Sequence, residues 1–408
     1  MKAVERFLSY IKFDTQSSET TGTTPSTESQ RTFGEALCRE LISIGAVNAK
    51  IDDNGYVSCS LPATEGYENS VSVGFIAHMD TAPDFSGCDV KAQIIENYDG
   101  GKVRLGESGL VLDPDEFTHL PSLKGRTLIT TDGTTLLGAD DKAGISEIMT
   151  VIEKIIAEKI PHGPLSFCFT PDEEIGEGAD HFDVEGFGTA AAYTVDGGAE
   201  GEIEYENFNA YGAKFEVTGL NIHPGSAKNK MINASLVAHE IVSMLPAGDV
   251  PECTEGYEGF YHLCGVSGSV EKAELDYIVR DHDADMMRCR IAALRHIEKL
   301  LNEKYGKGTV RLTVKEQYRN MREIVEEHMY IVDTARDVIS SLGITPVTTP
   351  VRGGTDGARI SFMGIPCPNL GTGGYAFHGP FEHITAEGMD KAVEIILGLI
   401  YAYSEMAG

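Results

Sequence analysis

Five segments of the chain end alike, with an apolar run that delivers Asp, Glu or His into a turn rich in glycine or polar residues. Three are Phe75-Ile76-Ala77-His78-Met79-Asp80, Leu136-Leu137-Gly138-Ala139-Asp140-Asp141 and Tyr193-Thr194-Val195-Asp196-Gly197-Gly198. The others are Thr170-Pro171-Asp172-Glu173-Glu174-Ile175-Gly176, which follows the alternating run Leu165–Phe169, and Gly373-Gly374-Tyr375-Ala376-Phe377-His378-Gly379. Together His78, Asp140, Glu174, Asp196 and His378 make a nitrogen-and-oxygen donor set without thiolate, which suits zinc, and also cobalt or manganese, in an open catalytic site. Five donors exceed what one tetrahedral ion with a free position can use, and match two ions that share a carboxylate. Such a pair lowers the pKa of a water between the ions and clamps a developing oxyanion, as amide hydrolysis requires.

Two acidic neighbours complete the chemistry. Side chains at adjacent positions of an extended loop diverge, so Glu173 is expected not to share an ion with Glu174 and to act as general base. Asp80 can accept the other ring N–H of His78 and fix its tautomer. Singly, each residue has an ordinary structural reading: a hydrogen-bonded strand-end histidine, a helix cap at Asp140 or Asp141, a turn at Asp196-Gly197-Gly198. Glu382 and His383 are expected on the surface.

Elements that could position these residues follow from periodicity. Residues 4–12 read as a short helix. Thr27 and Gln30 offer a capping box for a helix continued by Phe33, Leu37 and Leu41. Asp53-Asn54-Gly55 is a turn between two strands, and Val71–Ala77 is apolar enough for a central one. Residues 84–130 carry turn signals without periodicity and are left unplaced. Beyond Asp140, a stripe of Ile145, Ile148, Met149, Ile152 and Ile156 marks a helix, whose N-terminus would keep the two carboxylates ionised. Strands at 165–170 and 191–195, with functional residues at their carboxyl ends, describe an open α/β sheet.

From about residue 210 the texture changes. A strand around Phe215, a helix at 233–245, strands at 260–270 and 274–280, a helix at 284–304 and a strand around Leu312 give the order β-α-β-β-α-β of a split, ferredoxin-like domain. The expected organisation is a catalytic α/β domain with a mixed, mostly parallel sheet, built from residues 1–209 and 320–408. An inserted α+β lid domain at 210–319 interrupts it.

Bulk properties set limits. A chain of 408 residues, 41% hydrophobic and 24% charged, reads as a globular protein of two domains. A formal charge of −30 argues against nucleic acid and anionic membrane as partners. With no apolar signal core at the N-terminus and eight scattered cysteines, a cytoplasmic setting with reduced thiols is expected.

Taken together, His78-Met79-Asp80, Gly138–Gly144, Thr170–Glu174, Val195–Gly198 and His378 resemble the motifs of the co-catalytic zinc exopeptidases, a family that includes aminoacylases and bacterial glutamate carboxypeptidases. Within it the likeness runs to tripeptide aminopeptidases, through Glu255–His262 and Arg352–Gly357. The resemblance implies one zinc held by His78 and Asp196, a second by Glu174 and His378, and Asp140 bridging them. It implies Glu173 as base, Asp80 as the residue orienting His78, and a cis peptide after Asp140. It further implies that His223, in His223-Pro224-Gly225, stabilises the oxyanion from the lid, and that Asn233, Arg280 and Arg352 contact substrate. Either domain closure or a homodimer would have to bring His223 to the metals. Short peptides, tripeptides above all, are the expected substrates. A dipeptidase or N-acyl amino acid deacylase would use the same metal chemistry. A metal-binding module without catalysis would need neither Glu173 nor His223, and a metal-free pair of Glu173 and Glu174 would leave both histidines idle.

Overall fold

A computed structural model describes residues 1–407. The chain forms two compact units, one of Met1–Tyr205, Glu323–Thr349 and the residues from Thr355 onward, the other of Glu206–Arg322 with Pro350–Gly354.

An eight-stranded mixed sheet organises the first unit. In spatial order its strands are Val47–Ile51, Val57–Leu61, Leu165–Thr170, Val73–His78, Ala191–Gly197, Asn369–Gly371, Glu202–Glu204 and Val347–Thr348. The four from Leu165–Thr170 to Asn369–Gly371 run parallel. Val73–His78 is buried at every position, as a strand covered on both faces must be. Alternation sends Phe75, Phe167 and Tyr193 to one face, where their rings stack at 6.1 and 5.9 Å between centroids. Ile76, Cys168 and Ala192 face the other way and pack with Ile360 and Cys367. Such aromatic pairs add about 1 kcal/mol each beyond their area burial.

Helix Ala139–Glu158 lies on the Phe75 side, against Val73–His78 and Ala191–Gly197. The stripe expected for it understates its burial, since Asp141 to Ile152 are buried without interruption. The reason is that helices Ala3–Tyr10 and Ala386–Ser404 cover the side away from the sheet. At Gly144 the helix approaches so closely that a Cβ would overlap the Val195 carbonyl oxygen. Helix Glu28–Ile44 starts at Thr27 as expected, but the capping box does not form. The Gln30 amide is drawn instead to Asp172 Oδ1 at 2.7 Å.

The unplaced stretch 84–130 supplies two strands of a further antiparallel sheet, ordered Gly374–Tyr375, His383–Thr385, Leu128–Thr130 and Gln93–Ile95. His378 sits on the loop joining the first two. Its backbone is left-handed, at φ 63°, a region that costs a residue with a Cβ roughly 1 kcal/mol.

The second unit is an antiparallel sheet in the order Phe260–Gly268, Lys272–Asp281, Asn209–Thr218, Val310–Tyr318. Phe215, Val217, Leu275 and Val279 face helices Ala234–Ser243 and Ala284–Tyr305 and meet Val237, Ile241, Leu294 and Ile297. The chain order is β-α-β-β-α-β, with the first and last strands adjacent.

Candidate metal centre

Three parallel strands bring their carboxyl ends to one place. Val73–His78 ends in His78, Leu165–Thr170 leads into Glu173 and Glu174, and Asp196 lies at the end of Ala191–Gly197. His78 is 2% exposed. Its Nδ1–H donates to the Asp80 main-chain oxygen at 3.0 Å, with Asp80 Oδ1 at 3.4 Å. Nε2 faces Asp140 Oδ1 at 2.8 Å and Asp196 Oδ1 at 3.3 Å.

The other Asp140 oxygen faces the opposite way. His378 Nε2 lies 3.2 Å from Asp140 Oδ2 and 3.0 Å from Glu174 Oε2. One carboxylate thus stands between two imidazoles, each with a second acid at its side. The peptide between Asp140 and Asp141 is cis. Both residues have non-helical φ and ψ, so the regular helix begins only after them.

Asp80 also shapes the acidic loop. Its Oδ1 accepts the Glu173 N–H at 3.0 Å and its Oδ2 the Glu174 N–H at 3.1 Å. Glu173–Ile175 is a single tight 3-10 turn rather than the extended loop expected. Glu173 is half-buried.

Crowding shifts the protons. Burial opposes charge on His78, yet Asp196 and Asp140 outweigh it and hold the ring well above its ordinary pKa. Hydrogen bonds to Asp140 and Glu174 push His378 up to about 11. Burial alone would raise Asp140, but His378 and His78 hold it well below the carboxylate range. Burial and the Asp140 charge push Glu174 up to about 8. Burial, then Asp196, drives Glu173 well above its ordinary value. So many acids sharing few protons is a site built around positive charge.

The donors fit divalent cations. His78, Asp140 and Glu174 bring one ligand atom each within 4.8 Å of one another, as do His78, Asp141 and Asp196. Asp141 is otherwise engaged, accepting the His78 and Gly144 N–H groups. Glu174 Oε1 is buried without a hydrogen-bond partner, a costly arrangement that a cation would relieve.

The four expected substrate contacts all lie in the second unit. His223 is exposed, and its Nδ1 accepts the Gly225 N–H at 3.2 Å, leaving Nε2 to carry the proton of the neutral ring. Asn233 caps helix Ala234–Ser243 through Oδ1. Arg280 commits Nη1 to the Tyr211 and Val279 carbonyls and stacks over Tyr318. Arg352 is spent on the loop at 254–258, donating to Thr254, Gly256 and Glu258.

Other residues at the centre went unread in the sequence. Glu382 and His383 are not on the surface but 1% and 0% exposed. Glu382 accepts three main-chain N–H groups of the turn that carries Asp140. The signal was an acid four residues after His378, just ahead of a β-branched pair. Asp172 ties the acidic loop to Ser26 and Gln30. Asp356, buried and pushed to about 7, accepts the Thr170 hydroxyl at 2.8 Å.

Comparison with known proteins gives a consistent answer. Peptidase T of Clostridium perfringens is 56% identical over 405 residues, covering 99% of each chain. Among solved structures, the aminopeptidase PepT of Bacillus cereus superposes with a TM-score of 0.78 at 23% identity, covering 99% of this chain and 98% of its own. A tripeptidase of Staphylococcus aureus gives 0.79 at 21% identity, with 99% and 98% covered. These two show the shared α/β fold. The profile of peptidase family M20/M25/M40 matches residues 131–402, which include Asp140, Glu174, Asp196 and His378. With that match and a full-length relative at more than half identity, the chain belongs to peptidase family M20/M25/M40.

Proposed function

We propose that the chain is a two-zinc aminopeptidase that releases the N-terminal residue of tripeptides. The observation that carries this is Asp140, whose two oxygens face His78 on one side and His378 on the other. His78 and Asp196 would hold one ion and Glu174 and His378 the other, with Asp140 shared between them. Zinc suits these nitrogen and oxygen donors, with cobalt or manganese as substitutes. When bound, such a pair supplies a water of lowered pKa and positive charge opposite a developing oxyanion.

The chain's own groups do the rest. Glu173, raised by its buried surroundings, takes a proton from the attacking water on a carboxylate oxygen and delivers it to the departing amine nitrogen. Asp80 keeps Glu173 in place through its main-chain N–H and holds His78 in one tautomer. His223 Nε2–H donates to the carbonyl oxygen as it gains charge. Arg280 grips the far carboxylate, Asn233 offers its amide Nδ2, and Arg352 holds the 254–258 loop in shape. Each extended residue adds roughly 3.3 Å, so a dipeptide falls about one residue short of Arg280. The reading places the enzyme in the cytoplasm, where its eight unpaired cysteines stay reduced.

A peptide panel tests this. kcat/KM is measured for a dipeptide, a tripeptide, a tetrapeptide and an N-acetylated tripeptide, before and after chelation and after zinc is restored. The tripeptide should lead, and Arg280→Ala should reduce its lead by about thirtyfold. Preference for the acetylated peptide would make the protein a deacylase, and full activity after chelation would remove the metals from the reaction.

A further inference from the structure

Glu382 is 1% exposed and sits immediately before strand His383–Thr385. Its Oε2 accepts the N–H groups of Leu137 at 2.6 Å and Gly138 at 2.9 Å, and its Oε1 accepts that of Asp140 at 3.0 Å. Gly138 is left-handed at φ 80°, which turns consecutive N–H groups toward one point and makes a concave anion seat. The carboxylate filling that seat belongs to the protein itself. Both of its oxygens are engaged by main chain, so Glu382 is not a ligand in waiting.

We propose that Glu382 is a positioning residue for Asp140, and that through it the His378 loop sets the geometry of the bridging carboxylate. The loop leaves strand Gly374–Tyr375, presents His378 to Asp140 Oδ2, and four residues later presents Glu382 to the Asp140 N–H. The bridging residue is therefore held at its side chain and at its backbone by one loop. Moving the loop by a few tenths of an ångström alters both contacts together. Loss of Glu382 frees the Leu137–Asp140 turn, so Asp140 can serve His78 or His378 but no longer both. The ion at His78 and Asp196 keeps most of its ligands, while the one at Glu174 and His378 is weakened.

Glu387 is the natural control. Exposed in the first turn of helix Ala386–Ser404, it accepts the Thr127 N–H at 2.8 Å and the Thr127 hydroxyl at 3.2 Å, and so tethers the start of strand Leu128–Thr130 rather than the Asp140 turn. The inference rests on the two-metal reading, and the experiment separates the two. Metal-stripped wild type, Glu382→Gln, Glu382→Ala and Glu387→Ala are titrated with zinc by equilibrium dialysis, and the thermal midpoint of each metal-free protein is recorded. Wild type binding two ions, with Glu382→Ala retaining the first and binding the second about tenfold or more weakly, is the expected result. Glu382→Gln, which keeps one acceptor oxygen, should fall between and serves if the alanine variant does not fold. Glu387→Ala should lower the midpoint but keep both affinities. Unchanged second-ion affinity in the Glu382 variants, or an equal loss in Glu387→Ala, overturns the positioning role. Fewer than two ions on wild type instead overturns the metal reading beneath it.

Discussion

Asp80 and Glu173 are joined by a hydrogen bond from the Glu173 main-chain N–H to Asp80 Oδ1, 3.0 Å long and partly buried close to His78. Its twin from Glu174 to Oδ2 makes Asp80 the link between the strand ending in His78 and the turn bearing Glu173 and Glu174. Asp80→Asn keeps the size but replaces one acceptor with a donor facing an N–H. Activity should fall about ten- to a hundredfold, with metal affinity falling alongside because Glu174 moves too. Full metal content with unchanged kcat would show that the turn holds itself.

The proposed base and the proposed bridge should separate cleanly. Glu173→Gln should keep both ions and lose roughly a hundredfold or more in kcat, since it removes a proton acceptor and little shape. Asp140→Asn should lose metal, because it takes charge from between two cations. Metal analysis beside steady-state kinetics decides, and a Glu173→Gln enzyme of near-normal rate would assign the base elsewhere.

His223→Ala tests the inserted unit's part in the chemistry. A donor that acts mainly on the transition state shows in kcat rather than in binding, so kcat should drop about a hundredfold with KM little changed. If kcat is unaffected, His223 does no more than cap its own turn through Gly225.

A pH effect on stability is expected away from the metal ligands. Both Glu147 oxygens are buried without a partner, and burial pushes this carboxyl well above its ordinary pKa. In the unfolded chain it titrates near about 4.3. A folded pKa raised above the unfolded one gives stability that is full below about 4.3 and drains away as pH rises toward the folded value. Glu147→Gln, neutral throughout, should gain on wild type as pH rises from about 4 to 8. Denaturant melts of the two metal-free proteins across that range measure it, and a pH-independent difference rules it out.

Strand ends were the legible part of the sequence. His78, Glu174 and Asp196 each follow an apolar run long enough to declare its period, and the parallel sheet that gathers them comes from those same runs. Strands of two or three residues declare nothing, which is why Gln93–Ile95 and Leu128–Thr130 escaped notice. Gln93–Ile95 pairs with Leu128–Thr130 across an irregular stretch, and Leu128–Thr130 pairs with His383–Thr385 from the far end of the chain, so neither leaves a local pattern. Glu382 was misplaced for the same reason, because its burial comes from a turn at Leu137–Asp140 that only the folded sheet brings near. Gln30 shows propensity losing to tertiary context, its amide taken from the cap by Asp172.

The separation of 238 positions from Asp140 to His378 also sets an order of assembly. His78, Asp140, Glu174 and Asp196 are all synthesised in the first half of the chain, and could gather while the rest is still being made. His378 and the Glu382 that seats the Asp140 turn arrive only with the last segment, after the whole inserted unit. On the proposed reading, a nascent or C-terminally truncated chain carries Glu173 beside an incomplete centre and should not cut peptides. Hydrolytic power would then be withheld until synthesis is nearly finished.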